Sequence, residues 1–188
     1  MKASIFLSFL GDILKIVIIA LAIVIPIRYF LFQPFMVRGS SMEPNFHHGN
    51  YLIIDEISYK LREPQRGEVV VFHYPLNPSD RYIKRIIGLP QETIKIEDGQ
   101  IFITKNDQTQ MLNEDNYLPI SWKESWQNYS DFTPISLGEE EYFVLGDNRN
   151  ASSDSRRWGT LPQKDIIGRV YFQISFPDVF TTVAAPNY

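Results

Sequence analysis

From Ile16 to Ile27 every residue is apolar ("IVIIALAIVIPI"), and the apolar character runs on at both ends. Read as one helix, residues 13–32 cover about 30 Å, enough to cross a bilayer core. Lys15 and Arg28 flank the strongest run, where long cationic stems can reach headgroups, and Tyr29, Phe30 and Phe32 supply interfacial aromatics. A cleavable leader would need a small-residue site after its apolar core, but the "ALA" triplet at 20–22 lies inside the run. A buried soluble helix should show a polar face, and none is visible. The pattern therefore predicts a retained single membrane span at about 13–32 within an anchor of residues 1–33. Lys2, Lys15 and the terminal amine precede the span, and Arg28 and Arg38 follow it. That balance of cations points to a cytoplasmic amino end, with residues 34–188 on the extracytoplasmic side.

After Gln33-Pro34 the pattern changes to short alternating or β-branched stretches. Strands are predicted at 51–55, 68–74, 82–88, 93–97, 100–104, 141–146 and 166–174. Asp98-Gly99, between two of them, is the signature of a type I′ hairpin turn. Turn clusters stand at "REPQRGE" (62–68) and "YPLNPSD" (74–80). No helix is predicted beyond the anchor. Residues 106–137 are polar with scattered aromatics and no sustained period, which reads as a long surface excursion. The expected fold is mostly β, an antiparallel barrel- or sandwich-like domain behind one transmembrane helix.

Composition narrows the chemistry. The 188 residues contain no cysteine, which removes disulfides, thiolate metal sites and thiol catalysis. A formal net charge of −4 argues against nucleic acid as a partner. Of the three histidines, His47 and His48 would point to opposite faces of an extended chain, and no metal-ligand spacing occurs, so no metal or cofactor is expected. Lysine is the alternative base. In "RYIKRIIGLP", alternation puts Tyr82, Lys84 and Ile86 on one strand face and Ile83, Arg85 and Ile87 on the other. One of the two cations must then face the core, or both faces must be partly covered. An inward lysine loses its charge more readily, and a neutral amine can accept the proton of a serine hydroxyl. Candidate hydroxyls lie in "VRGSSMEPN" (37–45) and "LGDNRNASSDSRRWG" (145–159). Either stretch alone would be an ordinary polar turn.

In order, behind an apolar span, "GSSMEPN", "YIKRIIGLP" and "GDNRNASSDSR" resemble type I signal peptidases, membrane-bound serine proteases that remove signal peptides from exported preproteins. The resemblance covers nearly the whole chain. It implies Ser41 as nucleophile, Lys84 as general base and Ser152 as a hydroxyl that orients the lysine amine. It implies that Asp147, Asn148, Arg149, Asp154 and Arg156 brace the site. Val37, Met42, Phe46, Tyr82 and Ile83 match positions that line shallow apolar pockets for the small residues of A-x-A sites. Gly39 stands where some members carry a serine that helps bind the oxyanion, and Gln91 where "GLPG" is usual. The implied partners are preprotein signal peptides and the lipid bilayer of a cell membrane, and the implied reaction is acyl transfer. Two other classes fit parts of the pattern: a self-cleaving Ser-Lys repressor, which would need a DNA-binding module, and an inactive membrane-anchored adaptor, which would need no intact Ser41, Lys84 and Ser152. Nothing in the sequence fixes an oligomeric state.

Overall fold

The computed structural model describes residues 2–30, 33–126, 132–175 and 180–186, with backbone alone at 2–8, 25–30, 33–34 and 180. The apolar run forms helix α1 (Lys2–Phe30), about 43 Å long. Its described side chains, residues 9–24, are almost all exposed, with Phe9 at 61% and Ile16 at 67%. Among the described residues no helix is long and apolar enough to cross a membrane. The expected span at 13–32 reaches beyond them, since side chains 25–32 lie outside the described residues.

Twelve strands follow: β1 (Gln33–Met36), β2 (Tyr51–Asp55), β3 (Val69–Tyr74), β4 (Asn77–Gly88), β5 (Thr93–Glu97), β6 (Gln100–Lys105), β7 (Gln108–Met111), β8 (Ile135–Ser136), β9 (Glu141–Leu145), β10 (Leu161–Pro162), β11 (Ile166–Ile174) and β12 (Phe180–Thr182). Every pairing among them is antiparallel. The larger sheet runs β1-β2-β11-β3-β4-β9-β10, with β12 on β11, and the smaller runs β7-β6-β5-β8. All seven predicted strands are present, and three of them, β2, β5 and β11, have the predicted ends. Asp98 (φ 49) and Gly99 (φ 70) make the expected β5–β6 turn. Asn106 (φ 49) and Asp107 (φ 61) turn β6 into β7 in the same way.

Three expectations need correction. "YPLNPSD" is not all turn, because Tyr74 already pairs with Asn77 and residues 77–81 extend β4. Among the described residues, three one-turn α-helices, α2 (Ser58–Leu61), α3 (Ile120–Glu124) and α4 (Ser155–Trp158), and a 3-10 turn (Gln163–Asp165) occur beyond the anchor, each too short to show a helical period. Residues 106–137 are not only a surface excursion. β7 and β8 flank the smaller sheet, and Leu112, Leu118, Trp126 and Leu137 are buried. The cause is the scatter of single apolar anchors among polar residues, which hides burial from any periodicity.

Both faces of the larger sheet are covered. Val70, Phe72, Ile86, Tyr142, Val144 and Leu161 pack together. Val69, Val71, Leu52, Ile54 and Val170 pack with Met42 and Phe46 from the β1–β2 loop. Since β4 lies between β3 and β9, the two adjacent cations at its middle are dry: Lys84 and Arg85 are each 3% exposed, while Arg81 toward the strand's start is exposed. Of the two alternatives in the alternation, the covering of both faces holds.

Gln91 sits at φ 65, where a side chain costs about 1 kcal/mol relative to glycine. Its N–H still reaches the carbonyls of Leu137 (3.2 Å) and Gly138 (3.3 Å), so the turn keeps its shape without the usual glycine. Gln91→Gly should raise the melting temperature by about 1–4 °C in a thermal unfolding scan. An unchanged or lower value would mean that the residue is not strained.

Candidate active site

Three segments meet at Lys84. β4 supplies the lysine, paired in register with Val70 of β3. The β1–β2 loop supplies Ser41, and the loop after β9 supplies Gly146 to Asp154. The first loop is closed by Val37 N–H to Asn50 O (2.8 Å) and Gly49 N–H to Val37 O (3.0 Å). It is plugged into the core by Met42 (1% exposed) and Phe46 (2%). The last loop then grips its carbonyls: Asn148 donates from its backbone N–H to Ser41 O (3.1 Å) and from Nδ2 to Ser40 O (3.1 Å).

The Lys84 Nζ lies 2.8 Å from Ser41 Oγ and 2.7 Å from Ile83 O. Burial pushes the amine down to about pH 8, against Asp154 and Asp147, which favour the ammonium, and with the help of Arg156. From the ordinary lysine value, that is about 3 kcal/mol against the charged form. A hydroxyl within hydrogen-bond reach of an amine that is neutral in weakly alkaline water has the geometry of a nucleophile and its base.

The two nearby carboxylates are themselves tied up. Arg85 holds Asp147 through Nε–Oδ1 (2.8 Å) and Nη2–Oδ2 (2.7 Å), and its Nη1 donates to Gly67 O (2.8 Å). Arg156 holds Asp154 through Nε–Oδ1 (2.8 Å) and Nη2–Oδ2 (2.8 Å). Burial alone would raise the Asp154 pKa, but the hydrogen bonds and charge of Arg156 outweigh it and keep the carboxyl below the usual range. Both carboxylates are fully buried, so each needs its bidentate partner. Asp154 Oδ2 also accepts from Gly146 N–H (3.1 Å), which fixes the start of the loop.

Ser152 is 6% exposed, and its hydroxyl helps hold the Asp154 carboxyl in its charged form. It crowds the same point beside Gly146 as the Ser41 carbonyl does. The amine's described hydrogen bonds go to Ser41 and Ile83 rather than to Ser152. An open groove of about 800 Å³ runs past Ser41 and Lys84, walled by residues 35–38 on one side and 79–83 on the other. Val37, Tyr82 and Ile83 line it. Met42 and Phe46 do not; they sit beneath the loop in the core. Gly39 adopts φ 87, with open space where a side chain would project, and its N–H donates to His48 Nδ1 (3.2 Å).

Sequence reasoning missed three residues here. Asn45 Nδ2 bridges Asp147 Oδ2 (2.8 Å) and Tyr117 O (3.0 Å), tying the Ser41 loop to both later segments. His48, which holds the Gly39 N–H, carries no local signal for that role. Gly146 has a signal in hindsight, a glycine directly after a strand, where close backbone approach is common.

The sequence matches the family described as "Signal peptidase, peptidase S26" over residues 10–175. It is 37% identical over 164 residues to a probable signal peptidase I-2 of Synechocystis, covering 84% of this chain and 69% of that one. It is 34% identical over 171 residues to a signal peptidase I of Bacillus amyloliquefaciens, covering 88% of each. A crystal structure of a signal peptidase I from Enterococcus faecalis aligns with TM-score 0.48 and 32% identity, over 58% of this chain and 97% of that one. The chain belongs to the signal peptidase, peptidase S26 family.

A Cβ at Gly146 would lie 2.2 Å from Ser152 Oγ and 2.4 Å from Ser41 O. The hydroxyl can rotate away, but Ser152 Cβ, 2.5 Å off, and the Ser41 carbonyl cannot yield without moving their loops. Gly146→Ala should therefore cost about 1–3 kcal/mol in a denaturant titration. Gly146→Ala combined with Ser152→Gly should recover only part of that loss. Full recovery would locate the whole clash at Ser152.

Proposed function

We propose that this protein removes amino-terminal signal peptides from exported preproteins by serine endopeptidase chemistry, cutting after small-x-small (A-x-A) sites. The observation that carries this reading is the 2.8 Å approach of the dry Lys84 amine to Ser41 Oγ. Neutral Lys84 accepts the hydroxyl proton as Ser41 Oγ attacks the scissile carbonyl. The leaving amine takes that proton, and Lys84 then activates water to hydrolyse the acyl-enzyme. The Ser41 N–H has no acceptor among the described residues and is free to donate to the oxyanion. A neutral lysine has two N–H groups and one lone pair. One N–H goes to Ile83 O, the lone pair faces Ser41, and the other N–H suits the Ser152 hydroxyl after a rotamer change.

Substrate lies extended in the groove between the two walls, pairing backbone with exposed strand edges. The apolar lining from Val37, Leu52, Val71 and Ile83 suits small side chains next to the cut. Asp147, Arg149, Asp154 and Arg156 serve to hold the loops, and Asn148 holds the nucleophile's peptide. Helix α1 spans the cell membrane once, with the amino end cytoplasmic and the β domain extracytoplasmic. Support comes from exposed apolar residues at consecutive positions, Ile16 to Ile19, which leave no polar face toward water. A signal peptide held in the same bilayer then meets the site at high effective concentration, just beyond the span.

Cleavage of a preprotein in detergent tests the dyad. Ser41→Ala and Lys84→Ala should each lower kcat/KM by about 10³-fold or more, and Ser40→Ala by no more than about threefold. Full activity in either of the first two would overturn the mechanism. The base must be neutral, so kcat should rise about tenfold per pH unit below about 8 and level off above it. A flat profile between pH ~6 and ~9 would exclude Lys84 as the base. For the anchor, the full chain in liposomes should stay with the vesicles after an alkaline carbonate wash. Release into the wash would mean that α1 only lies on the surface.

A further inference from the structure

Residues 112–126 supply the acidic half of a buried ion pair, Glu114 with Arg149, that the proposed chemistry does not use. Glu114 is 6% exposed and Arg149 3%. Arg149 meets the carboxylate with both terminal nitrogens, Nη1 to Oε2 at 2.8 Å and Nη2 to Oε1. Tyr117 OH donates to the same Glu114 Oε1 and accepts from Arg149 Nη2 (3.1 Å). Burial works against the Arg149 charge, and the Glu114 carboxylate outweighs it, so the guanidinium stays charged. A pair so enclosed contributes little net stability by itself, but it fixes geometry strongly, because neither partner tolerates loss of the other.

What this pair fixes is the turn that holds the nucleophile. With its head locked on Glu114, Arg149 donates from Nε to Gly146 O (3.0 Å) and from its backbone N–H to Asp147 O (3.1 Å). Between those anchors lies Asn148, whose two hydrogen bonds fix the Ser40 and Ser41 carbonyls. Tyr117 adds a second tie, since its carbonyl accepts from Asn45 in the nucleophile loop (3.0 Å) and its ring stacks under Arg85 (4.2 Å). Both ends of the Ser41 segment are thus referred to one element.

We propose that Glu114, acting through Arg149 and with Tyr117, is a positioning residue for Ser41: its buried pair with Arg149 sets the turn whose Asn148 holds the nucleophile's peptide. This rests on Ser41 being the nucleophile. Glu114 touches neither substrate nor the reacting atoms. Its loss should therefore lower kcat and leave KM almost unchanged, since the groove walls at 35–38 and 79–83 lie elsewhere.

The test compares the full-length enzyme with its Glu114→Gln, Glu114→Asp and Ser41→Ala variants and an apolar double variant, Glu114→Leu with Arg149→Met, on one preprotein in detergent. Glu114→Gln keeps the volume and removes the charge; kcat should fall about tenfold or more while KM stays within about twofold. Glu114→Asp keeps the charge and should recover part of the lost kcat. The double variant leaves no unpaired charge, so it should melt near the parent enzyme yet keep the low kcat, because Gly146 O has lost its donor. It decides the matter if Glu114→Gln fails to fold. A parent-like kcat in folded Glu114→Gln, or in the double variant, would overturn the proposal and leave the pair a purely structural one. An active Ser41→Ala would instead overturn the nucleophile assignment beneath it.

Discussion

A lysine amine held out of water beside a serine hydroxyl is the constraint around which the β domain is arranged. The 2.8 Å contact is useful only if Lys84 sheds its proton near physiological pH, and burial is the main cause that allows it. β4 therefore has to be a central strand covered on both faces. Covering it dries Arg85 as well as Lys84, and a dry arginine needs an anion. Asp147 meets that need but also favours the ammonium form of Lys84, as Asp154 does. Each carboxylate is clasped by its own arginine, with Arg156 pushing the lysine the other way. The outcome is a balance in which desolvation wins by a few kcal/mol.

The same requirement explains how the loops are built. Ser41 lies on a loop, where peptides are least restrained, so its placement relies on neighbours. Met42 and Phe46 anchor the loop from below, and Asn45 and Asn148 tie it from the sides. The missing Cβ at Gly146 lets the two loops approach to van der Waals distance. The groove past Ser41 can then be shallow, because the rigidity is supplied on the side away from substrate.

The strands were legible because alternation and β-branched runs carry burial information locally, and Asp98-Gly99 carried its turn in two residues. The nature of β4 was only half legible. "YIKRII" shows that a cation must be covered, but not that both are, which depends on which strands lie to either side. Ser41 could be told from Ser40, and Lys84 and Ser152 given roles, only through family resemblance, since no local pattern brings residues 41, 84 and 152 together. The same resemblance puts Met42 and Phe46 in the groove, yet they are packed in the core. Glu114 and Tyr117 left no trace in sequence: a lone acidic residue in a polar stretch looks solvated until its arginine partner, 35 residues on, is seen against it.

The protonation state of Lys84 tests the account most directly. NMR titration of side-chain-labelled lysine in detergent micelles, with Lys84→Met to assign the signal, reads it without reference to activity. The account predicts a midpoint near pH 8. A Lys84 that stays protonated up to the ordinary lysine value of about 10.4 would contradict it.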